Sequence, residues 1–245
     1  MLNYIYDSTF DGLLCTLSVA FKEGSNFTIS PSSENQMFID SLSIDIVTDK
    51  NLAEKTYIRM EKRWGKLVLQ NIYKGFLYPQ TENLIALYIS FLMKSPSKEL
   101  VINHPSLIDF EKRILKISRE IHRWHGFLRF KELQNGFFYS SYEPDYDLTP
   151  LIIPHFASRF KNQSLIIHDT KRNYGAFYQN KEIFYSRLDN IKELPLSKNE
   201  EFYQKGWKAY FESLAIESRK NPKLQMSMMP KKYWRFLIEK REGDS

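Results

Sequence analysis

Two histidines and an aspartate are the side chains of this sequence best suited to general acid–base catalysis. His122 lies near the end of a predicted helix, His155 lies on a second predicted helix, and Asp169 follows an apolar predicted strand. If the three converged, imidazole and carboxylate could exchange protons with a substrate. Each also has a structural alternative, because histidines are often held by a hydrogen bond and aspartates often form turns.

A basic stripe follows the predicted helix 105–125. Lys112, Lys116, Arg119 and Arg123 recur at steps of four, three and four residues, so they share one side of the helix. Such a stripe could neutralise successive phosphates of a polyanion and release their counterions. The alternative is an ordinary solvated helix face, since two glutamates lie nearby in the sequence.

Three further arginines lie beside the candidate acid–base residues. Arg129 lies on a predicted strand between two apolar neighbours, Arg159 follows His155 by four residues, and Arg172 follows Asp169 by three. An arginine on an apolar strand needs an anionic partner, which a bound phosphate or a carboxylate of the protein could supply. For Arg129 both partners stay open.

The basic excess is concentrated near the end of the chain. The sequence has a net charge of +6, and residues 219–241 hold eight Lys and Arg against Glu239 alone. The motif Lys231-Lys232-Tyr233-Trp234-Arg235 mixes cations with aromatic rings, as proteins that stack single-stranded bases do. The alternative is a terminal helix that buries its rings and leaves its cations in water. The eight cations are Arg219, Lys220, Lys223, Lys231, Lys232, Arg235, Lys240 and Arg241.

Composition excludes several classes of site. The 245 residues include one cysteine, Cys15, which excludes an internal disulfide and a cysteine-ligated iron–sulfur cluster. The sequence has no glycine-rich phosphate loop or dinucleotide fingerprint, and two histidines three residues apart are a weak metal signal. We therefore expect no metal and no cofactor. No apolar run is long enough for a membrane span, and the single thiol favours the cytoplasm.

The predicted fold class is α+β. Residues 1–95 are expected to form a mainly helical lobe, with a polar loop at 24–33, and a polar stretch at 94–98 could link it to residues 96–245. The second part is expected to hold an antiparallel sheet backed by helices, a long helix at 196–218 and a basic helix at 229–240. One continuous domain is the alternative.

Several pieces of the chain, in this order, resemble the bacterial family described as "probable DNA metabolism protein". The resemblance covers about residues 4–238, and it departs at Ser8-Thr9, where the family opening has Gly-Ser. That departure affects only a local turn. The pieces are Tyr6–Leu14, His122-Arg123 with Gly126–Phe130, His155-Phe156 with Arg159-Phe160, Asp169 with Arg172, and Met229–Trp234.

The resemblance implies a setting for the protein and leaves its reaction open. Members of that family are encoded beside a radical-SAM protein, and some are fused to a uracil-DNA-glycosylase-like domain. The first hypothesis is therefore an accessory protein of DNA repair or modification, with nucleic acid and a protein of one of those two kinds as partners. The second is an enzyme acting on a nucleic-acid base or backbone, and the third is a protein-binding scaffold.

Overall fold

The fold is taken from a computed structural model of the chain. It describes residues 2–24, 26–33, 42–94, 104–189, 194–214, 216, 218 and 221–240. Helices and sheets are mixed, which confirms the predicted α+β class. Two compact units are present, Met1–Ser118 and Arg119–Ser245. The division lies inside one long helix, and most of the predicted linker at 94–98 is outside the described residues, so the boundary at residue 95 stays a prediction.

The first unit combines a small parallel sheet with helices. Its three described strands lie in the order β2-β1-β3, and both strand pairs are parallel. Parallel neighbours need a crossover, which the first helix supplies between β1 and β2. The elements are β1 (Leu2–Tyr6), α1 (Phe10–Glu23), β2 (Phe27–Pro31), β3 (Leu42–Asp45), α2 (Lys50–Trp64), α3 (Lys66–Phe76), α4 (Glu82–Lys94) and the start of α5 (Pro105–Phe127).

The prediction of a polar loop at 24–33 is wrong, because this segment contains β2. The strand is short and only Ile29 in it is buried. The amide of Asn83 on α4 binds the backbone of Ile29 in both directions, accepting from its N–H at 2.9 Å and donating to its carbonyl at 3.3 Å. The strand is therefore held by pairing with β1 and by a side chain distant in sequence.

The core of the first unit is formed by the apolar sides of its helices. Leu13 and Leu17 on α1, Ile85 and Ile89 on α4, and Phe110 on α5 belong to one cluster and are almost fully buried. Leu13 and Leu17 are four residues apart, as are Ile85 and Ile89, so each pair lies on one side of its helix. The helices that the sequence predicts in this region are therefore fixed by burial of one side.

The second unit is built on a five-stranded sheet in the order β4-β5-β6-β7-β8. The expected antiparallel sheet is mixed instead, because β5 and β6 are parallel and the other pairs are antiparallel. A helix connects β5 to β6, and such a crossover brings the second strand in parallel. The elements are β4 (Lys131–Glu132), β5 (Phe138–Tyr142), α6 (Thr149–Arg159), β6 (Leu165–Asp169), β7 (Tyr174–Gln179), β8 (Glu182–Arg187), α7 (Glu200–Ser213) and α8 (Pro222–Met228).

The predicted basic helix at 229–240 is also corrected. The chain forms two 3₁₀ segments there, Lys231–Phe236 and Ile238–Lys240. Pro230 precedes the first, and its carbonyl accepts the Tyr233 N–H at 3.0 Å, which closes the tighter turn. The predicted helix at 196–218 is confirmed over the shorter range of α7. Among the described residues, no helix is long and apolar enough to cross a membrane.

Candidate nucleic-acid interface

The basic C-terminal motif of the sequence lies against an acidic loop, residues 143–147. The Lys232 ammonium donates to Asp145 at 2.6 Å and lies 4.0 Å from Glu120, and Arg235 is paired with Glu143. Burial opposes the charge of Lys232, but these carboxylates outweigh it and raise its pKa. Lys232 and Arg235, predicted to bind phosphate, therefore have carboxylate partners within the protein.

The aromatic residues of that motif are held by the second unit. Tyr233 is fully buried, and its ring meets the edge of Trp124 at a centroid distance of 4.7 Å. Trp234 is half-buried, and its indole N–H donates to the carbonyl of Met229 at 2.9 Å. Tyr233 has no accessible surface with which to receive a base, so stacking by this motif stays a prediction for Trp234.

Arg129 and Arg172 form ion pairs inside the second unit. The Arg129 guanidinium donates to Glu239 at 2.6 Å, and Arg172 donates to the wholly buried Asp169 at 2.8 Å. Burial tends to raise the pKa of Glu239, but Arg129 and the indole N–H of Trp207 lower it overall. For Arg129 the structure thus favours the carboxylate partner that the sequence left open.

Six of the ten cations predicted to bind nucleic acid have no acidic partner among the described residues. Within the described residues, these six cations have no ion pair, although the Lys116 ammonium donates to the Tyr78 hydroxyl at 3.2 Å. Arg123 is half-buried and the other five are exposed. Of the cations counted near the C-terminus, Arg219, Lys220 and Arg241 lie outside the described residues. The six are Lys112, Lys116, Arg119, Arg123, Arg159 and Lys231.

The three acid–base candidates have different surroundings. The His155 ring stacks on that of His125, at a centroid distance of 4.1 Å and an interplanar angle of 17°. Burial lowers the pKa of His125 to about 4, with smaller contributions from the charges of His155 and His122. Both candidate histidines therefore lie near His125. Asp169 instead accepts hydrogen bonds from Arg172 and from the Lys171 N–H. The described contacts therefore group the histidines together and hold Asp169 in an ion pair.

A cleft of about 510 Å³ lies in the second unit, and we call it the α7 cleft. Its volume lies within the usual range for small-molecule sites. Its polar lining includes two glutamates and an arginine. Glu200 is buried and accepts from the Glu132 N–H and the Gln204 amide, each at 2.8 Å. The lining residues are Arg129, Phe130, Glu132, Phe138, Glu200, Tyr203, Gln204, Trp207 and Ile238.

An exposed aromatic face runs along α7 beside this cleft. Tyr203, Trp207 and Tyr210 recur at steps of four and three, and 60%, 37% and 54% of their surfaces are exposed. Trp207 is oriented by its hydrogen bond to Glu239 at 2.9 Å and by the Arg129 guanidinium, 5.3 Å from its ring centre. Sequence reasoning missed this aromatic face, although its helical spacing was visible within the predicted helix.

Metal-ion binding finds no support in the part of the chain that is described. No group of three or more histidine, cysteine, aspartate or glutamate side chains there could hold an ion. The single thiol, Cys15, is buried and lies 3.2 Å from the carbonyl oxygen of Asp49. Burial raises the pKa of this thiol.

One protein family matches most of the chain. Its description is a domain of unknown function, DUF4130, and the match covers residues 79–239. The chain belongs to the DUF4130 family. The matched segment contains every residue that lines the α7 cleft and all three residues of the aromatic face.

Other comparisons add little to the DUF4130 assignment. No curated protein matches the chain. A solved DHH-domain structure, described as a member of the s1p family of ribosomal proteins, is similar at 10% identity and a TM-score of 0.31. That match covers 72% of this chain and 73% of the other. A similarity of this size carries no argument about function.

Proposed function

We propose that this DUF4130 protein is an accessory protein of DNA repair or modification that binds an unpaired nucleic-acid strand. The observation that supports the proposal most directly is the α7 cleft beside the aromatic face. Large aromatic side chains that face water are energetically unfavourable in the free protein, so exposed ones often mark a binding site. Proteins that bind single strands use such rings to stack bases. Each stacked base contributes roughly 1–3 kcal/mol, largely independent of sequence.

The charges of the α7 cleft favour a base there over a phosphate. Its lining carries Arg129 with two carboxylates, Glu132 and Glu200, and the arginine is already paired with Glu239. Carboxylates repel phosphate but accept hydrogen bonds from the amino groups of bases. We therefore place a base in the cleft and assign the phosphates to cations that have no ion pair among the described residues, such as Arg119 and Arg123.

The proposed partner comes from the family resemblance. A radical-SAM protein or a uracil-DNA-glycosylase-like protein would supply the chemistry, and the DUF4130 protein would hold the strand. This division of labour agrees with the single cysteine of the chain, because a cysteine-ligated cluster needs several thiolates.

Two exposed tyrosines allow a direct test. We expect Tyr203→Ala and Tyr210→Ala each to weaken binding of a fluorescent oligothymidine by roughly tenfold, measured by fluorescence anisotropy. Tyr57→Ala on α2 is the matched control, since 37% of that ring is exposed and it lies outside the α7 cleft.

The outcomes separate the proposal from its alternatives. Loss of affinity in both α7 variants with an unchanged control supports strand binding at this site. Equal affinity of all three variants overturns it. If wild-type protein fails to bind any nucleic acid at low salt and still captures a protein partner, the protein-binding scaffold replaces the proposal.

A further inference from the structure

A second cleft lies within the first unit, between α1, α2 and α4, and we call it the basic cleft. Its volume is about 250 Å³. Leu17, Met60 and Ile89 form a buried apolar floor, and Phe21 and Trp64 add aromatic surface. The whole lining is Leu17, Ser18, Phe21, Lys22, Thr56, Arg59, Met60, Arg63, Trp64, Ile89 and Met93.

The charged residues that line this cleft are all cations. Lys22, Arg59 and Arg63 are exposed, and no described aspartate or glutamate lines the cleft. None of the three has an ion-pair partner among the described residues, which contrasts with Lys232 in the second unit. Arg63 is directed over the indole of Trp64, 5.4 Å from the ring centre. Three unneutralised cations beside an apolar floor produce a field that attracts a compact anion.

The floor offers few groups for hydrogen bonding to a ligand. The Thr56 hydroxyl is used within α2, where it donates to the carbonyl of Leu52 at 2.7 Å. A ligand must therefore place an apolar surface inward and its charge outward. Three positive charges match a dianion better than a single carboxylate, and arginine binds phosphate oxygens through two N–H groups.

We propose that the basic cleft binds a phosphate monoester carried by a flat apolar ring, the class that includes nucleoside monophosphates. The ring lies on the floor against Met60, Phe21 and Trp64, and the phosphate meets Lys22, Arg59 and Arg63 at the rim. The floor has no hydrogen-bonding pattern to distinguish one base from another, so little base preference is expected. This inference stands apart from the proposed strand binding, since the two sites share no residue.

Titration calorimetry tests the ligand class with five compounds. Thymidine monophosphate is expected to bind at least tenfold more tightly than thymidine or inorganic phosphate, because only the monoester meets both the floor and the rim. Phenyl phosphate tests whether any flat ring suffices, and hexyl phosphate tests whether a flexible chain does. Tighter binding of hexyl phosphate than of both ring esters overturns the proposal, as does inorganic phosphate binding as tightly as thymidine monophosphate.

Variants locate the site and separate this inference from strand binding. Arg59→Gln and Arg63→Gln are each expected to weaken thymidine monophosphate about tenfold, whereas Lys62→Gln is the control on the same helix outside the lining. All three side chains are mainly on the surface, so the fold is retained. An equal effect of the three variants overturns the assignment. Tyr57 lies outside both linings, and Tyr57→Ala should leave the binding of thymidine monophosphate and of oligothymidine unchanged. Loss of only one ligand in the variants of a cleft then identifies which proposal fails.

Discussion

The Lys232 ammonium lies 2.6 Å from a carboxylate oxygen of Asp145, a residue 87 positions earlier in the chain. This ion pair changes the role that we assign to the most basic segment of the sequence. A cation held by a carboxylate of the same protein has less charge to offer a phosphate, and its loss acts on stability first.

Charge removal should therefore have different effects at paired and free cations. We expect Lys232→Gln to lower the free energy of unfolding by up to about 1 kcal/mol, measured in urea, while the salt dependence of strand binding stays the same. Arg123→Gln should do the reverse: stability is kept, and the slope of log affinity against log salt falls by about 0.7 for a single strand. If Lys232→Gln lowered the salt dependence and Arg123→Gln did not, Lys232 and not Arg123 would contact the phosphates.

Tyr233 provides a test of burial that does not depend on function. We expect Tyr233→Ala to cost about 3–5 kcal/mol of folding free energy, since it empties a site beside Trp124. Tyr233→Phe should be nearly neutral, because the buried hydroxyl has no hydrogen-bond partner among the described residues. Thermal or urea unfolding of the two variants checks this, and a large loss in Tyr233→Phe would show that the hydroxyl is bonded.

Acid should destabilise the protein through His125. Its pKa falls to about 4 in the folded chain, so between that value and the ordinary value of 6.5 the unfolded state binds more protons. His125 therefore stabilises the fold above pH 6.5, and the contribution is lost as pH falls toward 4, on the order of 2 kcal/mol. We expect this part of the pH dependence to vanish in His125→Phe and to persist in His122→Gln. Unfolding curves at several pH values measure this dependence. The same loss of unfolding free energy on acidification in the wild type and in His125→Phe would contradict the prediction.

Two glycines should respond to alanine in opposite directions. A Cβ at Gly12 would collide with the Asp7 carboxylate and lie 2.9 Å from the Thr48 hydroxyl, which donates to that carboxylate. We expect Gly12→Ala to cost about 1–3 kcal/mol of folding free energy. Gly126 has open space at its Cβ and lies in α5, so Gly126→Ala should stabilise by up to about 1 kcal/mol. Similar unfolding midpoints for the two variants would contradict the prediction that a Cβ is hindered at Gly12 and tolerated at Gly126.

Sequence reasoning succeeded where the physical cause is local. The helix at 105–125 was predicted because its apolar residues recur at helical steps, and α5 occupies Pro105–Phe127. Sequence reasoning failed where the cause is distant: β2 is held by pairing with β1 and by Asn83, and the partners of Lys232 lie far back in the chain.

The candidate site was only partly predictable for the same reason. Arg129 was correctly identified as a residue that needs an anionic partner, but nothing in its neighbourhood indicated Glu239, which is 110 residues away. The aromatic face of α7 was visible as a spacing, yet aromatic residues at that spacing usually form a core. Only burial, which depends on the whole fold, shows that these rings face water.

The start of the DUF4130 match has a practical consequence for anyone who isolates that segment. A polypeptide cut at residue 79 would keep α4 and α5 but discard α1 and α3, whose Leu13, Leu17 and Ile72 share a core with Ile85 and Phe110. The apolar sides of α4 and α5 would then be exposed to solvent and would promote self-association. The segment that matches the family is therefore shorter than the segment whose helices share this core.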